Sequence, residues 1–567
     1  MKKKNLIIIT CIIGIIILIV TFLKLKATKF VFYWDTTIFY DSAIQIKNVL
    51  IKNPIYTIIN ILKTMFYFDY NYLPAIIPAI FMSIFGENRI SFTLATTVIF
   101  YIPFIFLFLN LIEPAFKDMK NKNFYLVVST LTCLPILSYL NYMGYVDIAG
   151  LDIILAIYYL IRKKSDNNLK KNMLIGFLLI LLYFFRRWYA YFSVSFLITL
   201  LIFDIYKIVK CRREKDEIKK ICVEYLEIIF GILIVIFATI VLNALLFYEG
   251  ANSPYNWKNF YLIKVLLSNY SEDYAGYKNS FAKDLAIIGN FIGYIIIALT
   301  IISIIISIRN KKKIKEVTFL TIQMLLCYAI FERTQSGDIH HYLLYVINIM
   351  IIVSIELANT NNKILRRVMA GILIFNFIIS EPFCYNIGLV KFLKKYYIVN
   401  NIDLKVAIRD DMDELEKICV RLAELSENGE KNIYVNSSSA ILNRSIIRNY
   451  EIQDENAYKS KEYILDVSDI DSRDGVPEKI KIADYILVTS PTQTHRGIEN
   501  QKIVDYINKM FLSEEFKNEF SKKFELEENL KLGDIDIYIY KKIKETDDED
   551  YNNLKIEAEK YINVVQF

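Results

Sequence analysis

The sequence predicts an α-helical polytopic membrane protein, with about eleven transmembrane helices and a C-terminal extracytoplasmic α/β domain. Of its 567 residues, 55% are hydrophobic and the mean hydropathy is +0.34, values that exclude an ordinary soluble globular protein. Apolar runs of about 20 residues recur until about position 380, and such a run can cross a hydrocarbon core about 30 Å thick. After residue 390 these runs stop, and shorter helix-like and strand-like patterns alternate.

The eleven predicted spans are 5–24, 89–112, 124–142, 147–161, 172–185, 189–209, 221–247, 286–308, 316–331, 341–358 and 366–381. They vary in length, and the fourth and fifth are short for a full crossing. The first is interpreted as a retained anchor rather than a signal peptide, because its apolar run is long and no small-residue cleavage motif follows it.

Lysine and arginine predict the orientation, because cytoplasmic loops retain positive charge. Lys2, Lys3 and Lys4 precede the first span, and strongly basic stretches at 210–215 and 309–313 fall on the same side if there are eleven spans. With the N-terminus inside, an odd number of spans places the C-terminal domain outside. Residues 401–567 contain 24 Lys and Arg against 36 Asp and Glu, a net charge of −12 that fits this position. A cytosolic tail after one miscounted span is the alternative.

The predicted domains are a transmembrane domain, 1–389, and an extracytoplasmic α/β domain, 390–567. Within the first, residues 36–51 and 55–68 have amphipathic helical periodicity, and the apolar stretch 73–86 is too short to span. Outer interfacial helices are therefore predicted over about 36–86. The polar and aromatic segment 248–284 is an outer loop, either a lid or a plain connection.

Alternating patterns predict the elements of the C-terminal domain. Helices are expected at 410–425 and 499–511, and strands at 432–435, 463–467, 485–488 and 534–540. His495 lies in a loop and is interpreted as structural or solvated, since no catalytic signature surrounds it.

Ionisable side chains collect at the predicted outer boundary of the membrane, where a functional site is therefore expected. The acids are Asp35 and Asp41, which follow the first span, and Asp147, which lies between the third and fourth. The basic residues at this boundary are Arg186, Arg187, Arg333, His340 and His341.

Each of these side chains can be interpreted either as part of a catalytic or binding site or as an ordinary residue of the membrane boundary. Asp35 is either a general base at the membrane surface or an ordinary acid among interfacial aromatic residues. Arg186 and Arg187 either bind an anionic lipid phosphate or extend toward phospholipid head groups. His340 and His341 bind a phosphate, ligate a metal with Asp35 and Asp147, or face water at the start of a helix.

The chain resembles the polytopic GT-C glycosyltransferases, in particular the protein-mannosyltransferase and aminoarabinose-transferase branch, glycosyltransferase family 39-like. The likeness covers about residues 5–360 and rests on Trp34-Asp35 after the first span and on the stretch 72–89, in which prolines, an apolar run and Phe-Gly precede Arg89. Asp147 matches a second acid of the family, and His341-Tyr342-Leu-Leu matches the start of a late span. Two departures are Thr36, where many members have a second adjacent acid, and a histidine in place of a late lysine.

The resemblance implies transfer of a sugar from a polyprenyl-phosphate donor to a glycan, lipid or protein acceptor on the outer face of the plasma membrane. Asp35 would be the general base, and Asp41 and Asp147 would orient the acceptor or a divalent ion such as Mg²⁺ or Mn²⁺. The donor phosphate would be bound by Arg186, Arg187, Arg333, His340 and His341. Membrane lipids are expected partners, and nucleic acid is not. The alternatives are a polysaccharide polymerase, a lipid-linked sugar flippase or transporter, and a non-catalytic envelope scaffold that displays a binding domain.

Overall fold

The computed structural model describes two compact units within residues 3–564. Residues 69, 118, 133, 164–166, 212, 248–279, 312, 335, 336, 338, 381–383, 385, 386, 403–408, 451–462, 469 and 470 are not described, so most of the predicted loop 248–284 lies outside the described residues. The first unit comprises Met1–Ala27, Ile38–Asn269 and Asn279–Val406. The second comprises Thr28–Thr37, Tyr270–Lys278 and Ala407–Phe567, so the segment that follows the first helix belongs with the C-terminal residues.

The first unit is helical, which confirms the predicted fold class. Its helices up to the undescribed stretch are α1 (Lys3–Ala27), α2 (Asp35–Leu50, which starts in the second unit), α3 (Pro54–Tyr67), α4 (Ile76–Phe85), α5 (Arg89–Thr96), α6 (Ile102–Ile112), α7 (Lys122–Thr130), α8 (Leu134–Tyr142), α9 (Ile148–Arg162), α10 (Asn168–Phe185), α11 (Tyr189–Lys210) and α12 (Lys215–Leu246). Those after it are α13 (Phe281–Ile292), α14 (Tyr294–Asn310), α15 (Ile314–Glu332), α16 (Leu343–Asn359), α17 (Lys363–Ile378) and α18 (Gly388–Lys395).

Seven helices of the described residues are long and apolar enough to cross a membrane. They are Lys4–Ala27, Arg89–Phe116, Asn168–Phe185, Tyr189–Lys210, Lys215–Leu246, Ile314–Glu332 and Ile339–Asn359. Two bent pairs raise the number to nine if each is one broken span: α7 with α8 at 47°, and α13 with α14 at 96°. Two of the eleven predicted spans, 147–161 and 366–381, are not among these nine. They correspond to α9 and α17, which are helices of 15 and 16 residues.

The two amphipathic helices predicted after the first span are present as α2 and α3. The side-chain oxygen of Asn53 accepts a hydrogen bond from the backbone N–H of Tyr56, and Pro54 occupies the first helical position, where its missing N–H costs nothing. The stretch predicted to be too short to span forms a 3₁₀ turn and α4, and it ends at Gly86, whose φ of +97° suits glycine.

Two glycines allow α10 and α12 to pack with their backbones in close contact. A Cβ on Gly176 would lie 2.1 Å from the carbonyl oxygen of Ile228, and a Cβ on Gly231 would lie 2.4 Å from that of Met173. Small residues permit such close approach between membrane helices, which gain stability from backbone and side-chain packing.

We expect Gly176→Ala to destabilise the first unit, because the new methyl group meets backbone that cannot rotate away. Overpacking of this kind costs about 1–3 kcal/mol. Thermal unfolding in detergent measures the effect, and Gly371→Ala in α17 is the matched control. A Cβ at Gly371 meets no atom within 4 Å, so that change should leave stability unaltered or raise it slightly. Equal midpoints for the two variants would contradict the prediction.

The second unit is an α/β domain built on a five-stranded sheet in the order β2-β1-β3-β5-β4. Its strands are β1 (Ile433–Val435), β2 (Ile464–Asp466), β3 (Tyr485–Ser490), β4 (Phe524–Leu532) and β5 (Ile535–Lys542). Its helices are α19 (Met412–Leu425), α20 (Arg444–Asn449), α21 (Asp471–Asp474), α22 (Lys502–Leu512) and α23 (Asp548–Val564). The strands β2, β1 and β3 are parallel, whereas β5 and β4 run antiparallel.

One hydrophobic core lies on each face of the sheet. The first contains Leu415 of α19, Ile446 of α20 and, from the segment after the first span, Val31. The second contains Ile507 of α22 and Leu554 of α23. All four predicted strands and both predicted helices are present, whereas β4 and the helices α20, α21 and α23 were not predicted from the sequence.

Candidate functional site

Three turns between consecutive helices of the first unit meet at one place. They are the turn from α8 to α9, which contains Tyr145 and Asp147, the turn from α10 to α11 at 186–188, and the turn before α16, which contains His340. Each turn contributes at least one side chain that contacts another turn. We call this group, made of Tyr145, Asp147, Arg186, Trp188, Tyr189, His340 and His341, the Asp147 cluster.

Asp147 is the acid of the cluster, and only 1% of its surface is exposed. Its Oδ1 lies 3.2 Å from Nε of Arg186 and accepts a hydrogen bond of 3.2 Å from the indole N–H of Trp188. The hydroxyl of Tyr189 donates to the Asp147 backbone carbonyl at 2.6 Å. A buried carboxylate requires a partner of opposite charge, and Arg186 supplies it.

Arg186 is itself held by aromatic rings. Its guanidinium carbon lies 5.0 Å from the ring centre of Phe39 and 5.1 Å from that of Tyr70, distances typical of cation–π contacts. Nearby, the side-chain amide of Asn71 donates to the carbonyl of Phe184 at 2.7 Å. Residues of the interfacial segment therefore pack against this guanidinium and against the end of the helix before it.

The two histidines pack against the same cluster. The ring of His340 stacks on Tyr145 with ring centres 5.1 Å apart, and it lies 4.0 Å from the ring of His341. Trp188 meets both histidines edge-on, at 6.0 Å and 5.5 Å. His340 is buried and His341 is half-buried, so His341 is the more accessible of the pair.

The other predicted site residues occupy different surroundings. Asp35 is the first residue of α2 and belongs to the second unit, where it is half-buried. Asp41 lies in the same helix but in the first unit. Asp41 lies close enough to Tyr72 to affect its ionisation: burial raises the pKa of the Tyr72 hydroxyl, and the charges of Tyr56 and Asp41 raise it further. Arg187 is half-buried in the turn next to Arg186.

Arg333 is exposed at the end of α15, and no contact within the described residues joins it to the Asp147 cluster. Among the residues that the structure describes, no group of three or more His, Cys, Asp or Glu side chains is arranged to hold a metal ion. The divalent ion considered from the sequence stays a prediction.

The aromatic residues of the Asp147 cluster were not predicted as site residues from the sequence. Trp188 directly follows the predicted arginine pair, and that adjacency was the one available signal. Sequence reasoning also missed a buried acid, Asp284 in α13, whose Oδ2 accepts a hydrogen bond of 3.3 Å from the hydroxyl of Tyr328.

Gly150 leaves the space that the Tyr189 ring occupies. A Cβ at this position would lie 2.0 Å from the ring, so Gly150→Ala must push Tyr189 away from Asp147. We expect the variant to fold with lowered stability, by about 1–3 kcal/mol, since the ring must move and the Asp147 cluster is disturbed. Thermal unfolding in detergent measures the effect. An unchanged unfolding midpoint would refute the prediction.

Comparison with known proteins gives a match only at the level of structure. No protein-family model matches the chain, and neither does any curated protein sequence. The crystal structure of ArnT from Cupriavidus metallidurans bound to undecaprenyl phosphate is similar, with a TM-score of 0.51 and 10% identity, over 94% of this chain and 98% of that chain. The structure of the same protein in the apo state gives a TM-score of 0.50 and 9% identity, over 95% and 98%. The resemblance to the GT-C glycosyltransferases of the aminoarabinose-transferase branch is thus confirmed for the fold of nearly the whole chain.

Proposed function

We propose that this protein is a membrane glycosyltransferase that moves a sugar from a polyprenyl-phosphate donor to an acceptor on the outer face of the membrane. One observation carries the proposal: three helix turns join Arg186, His340 and His341 around the buried Asp147. These groups can donate several hydrogen bonds to a phosphate, in a fold shared with a protein whose crystal structure contains undecaprenyl phosphate.

The proposed reaction exchanges one bond at the anomeric carbon for another. The acceptor oxygen forms a bond to that carbon while the bond from carbon to phosphate oxygen breaks, and polyprenyl phosphate leaves. The acceptor hydroxyl gives its proton to the carboxylate of Asp35, which acts as the general base. Attack opposite the leaving phosphate inverts the anomeric configuration, as in inverting glycoside chemistry.

The leaving phosphate gains negative charge, and cations placed beforehand lower the barrier most effectively. In this proposal Arg186 and His341 contact the phosphate, His340 supports His341 through ring contact, and Arg187 adds charge from the same turn. Arg333 contributes less, because it is exposed and outside the Asp147 cluster. Asp147 is a positioning residue: its Oδ1 binds both Arg186 and Trp188 and so fixes the turn that carries the arginines.

The experiment is an assay of the purified full-length chain with undecaprenyl-phosphate sugars, combined with mass spectrometry of surface glycans and lipid-linked sugars in a deletion strain. Sugar transfer from a monophosphate donor, together with accumulation of that donor in the deletion strain, is the expected result. Activity with diphosphate-linked donors alone would identify a polymerase. Donor movement across vesicles without transfer would identify a flippase, and binding without either would identify a scaffold.

A further inference from the structure

The strand topology of the second unit is one that leaves a crevice at the carboxyl ends of its parallel strands. β1 lies between β2 and β3. The chain leaves β1 toward α20, which packs on one face of the sheet, whereas after β3 it enters α22 on the opposite face. Where neighbouring parallel strands send their connections to opposite faces, the loops diverge and leave a crevice that binds ligands in open α/β sheets.

The loops that follow the parallel strands are joined by the buried side chain of Gln501. Its side-chain oxygen accepts hydrogen bonds from the hydroxyl of Ser438 at 3.0 Å and from the backbone N–H of His495 at 2.9 Å. Its amide donates to the carbonyl of Ser468, beyond β2, at 3.1 Å. Nδ1 of His495 lies 3.3 Å from the Ser438 hydroxyl. The loops after all three parallel strands are therefore held in one arrangement.

Trp34 forms an aromatic wall of the crevice. Its ring centre lies 5.0 Å from that of His495, and 38% of the tryptophan remains exposed. Its φ of +51° is a backbone conformation that bulky residues adopt rarely and that recurs at functional sites. Tyr33, which packs edge-on against Trp34 at 4.8 Å, lines a neighbouring cleft of about 260 Å³ together with Ala440.

Buried polar atoms beside the crevice also lack partners. Oδ1 of Asn436, Oγ1 of Thr489 and Nδ2 of Asn508 form no hydrogen bond within the described part of the chain, although at most 2% of each residue is exposed. Such groups are costly unless water or a ligand pairs with them. They lie at the end of β1, in β3 and in the helix that follows β3.

Charge restricts the class of ligand. Residues 401–567 have a net charge of −12, which disfavours a phosphate or another anion. A pyranose ring presents C–H groups that pack on an indole face and hydroxyls that pair with serine, amide and imidazole groups. We propose that this crevice, walled by Trp34 and His495, binds the acceptor sugar, a hexopyranose without anionic groups.

This inference rests on the proposed function, since an acceptor site is required only by a transferase. It adds the location of the acceptor within the second unit. Asp35 follows Trp34 directly in the same unit, so a sugar that packs on the indole has its hydroxyls near the proposed base.

Saturation-transfer NMR of the purified full-length protein tests the binding, with methyl glycosides of glucose, galactose, mannose and N-acetylglucosamine as probes. The wild-type protein should give signals from the ring protons of at least one glycoside. Trp34→Leu and His495→Ala should weaken those signals at least fivefold. Leu526→Ala is the matched control, an exposed apolar side chain on the edge strand β4 of the same unit, and it should retain them.

A kinetic measurement separates this inference from the proposed function. In His495→Ala, the KM for the acceptor should rise at least fivefold, while the KM for the donor lipid stays within twofold of wild type. A wild-type protein that transfers sugar but gives no glycoside signal, or variants with wild-type signals and acceptor KM, would overturn the acceptor site alone. If the wild-type protein transfers no sugar, the proposed function fails, while loss of glycoside signal in the two variants would still support a sugar-binding crevice.

Discussion

Asp35→Asn should slow sugar transfer at least a hundredfold while the protein still binds its donor. Asparagine has the same shape as aspartate but cannot take a proton from the acceptor hydroxyl. A general base contributes about 10²–10⁴-fold to such a reaction, and we expect kcat to fall by that factor. Product formation from an undecaprenyl-phosphate sugar measures kcat, and native mass spectrometry measures retention of the donor.

The matched control for this change is Asp534→Asn. Asp534 is an exposed carboxylate of the same unit, in the turn between β4 and β5, and its replacement should leave transfer unchanged. Wild-type turnover by Asp35→Asn would exclude Asp35 as the base, whereas loss of donor binding would mean that Asp35 belongs to the donor site.

Arg186→Gln should both destabilise the first unit and remove donor binding. The change leaves the buried carboxylate of Asp147 without its cation, and breaking a buried ion pair from one side costs about 3–5 kcal/mol. Asp147→Asn combined with Arg186→Gln removes both charges, so the double variant should recover much of the stability but none of the donor binding. Thermal unfolding and binding of undecaprenyl phosphate distinguish the two effects.

Arg333→Gln is the stability control for this pair of variants, because Arg333 is exposed. Its unfolding midpoint should match that of the wild type. The assignment would be refuted if the double variant bound donor as well as the wild type, or if Arg186→Gln alone lost neither stability nor binding.

Elements with a local pattern were predictable from the sequence, and those without one were not. The periodicity of α2, α3 and α19 is contained within each helix, so these elements were predicted within a few residues of their bounds. In β4 the apolar residues Phe524, Leu526, Leu530 and Leu532 alternate with polar ones, but Glu528 interrupts the alternation where the strand has a β-bulge. Three of the seven residues between the two ends are glutamates, and the stretch was not predicted as a strand from the sequence.

The candidate site was predictable as a set of turns but not as a set of contacts. Loop charges predicted that Asp147, Arg186 and His340 share one side of the membrane, and the structure joins them within one cluster. Which partner Asp147 takes depends on how α9 packs against α10 and α11, because its partners Arg186 and Trp188 lie about 40 residues away along the chain. The contact of Trp34 with His495 crosses most of the sequence, and no local pattern encodes it.

The inclusion of Thr28–Thr37 in the C-terminal unit has a consequence during protein synthesis. The carbonyl of Lys29 accepts a hydrogen bond from the backbone N–H of Arg409, and Val31 packs in the core with residues beyond position 410. At about 5–20 residues per second, the ribosome needs roughly 20–75 s after making the first partner before it makes the second. Until then, the segment that contains Asp35 lacks the strands and helices against which it packs. A polypeptide terminated early would retain its membrane helices, but the segment that contains Asp35 would have no packing partners.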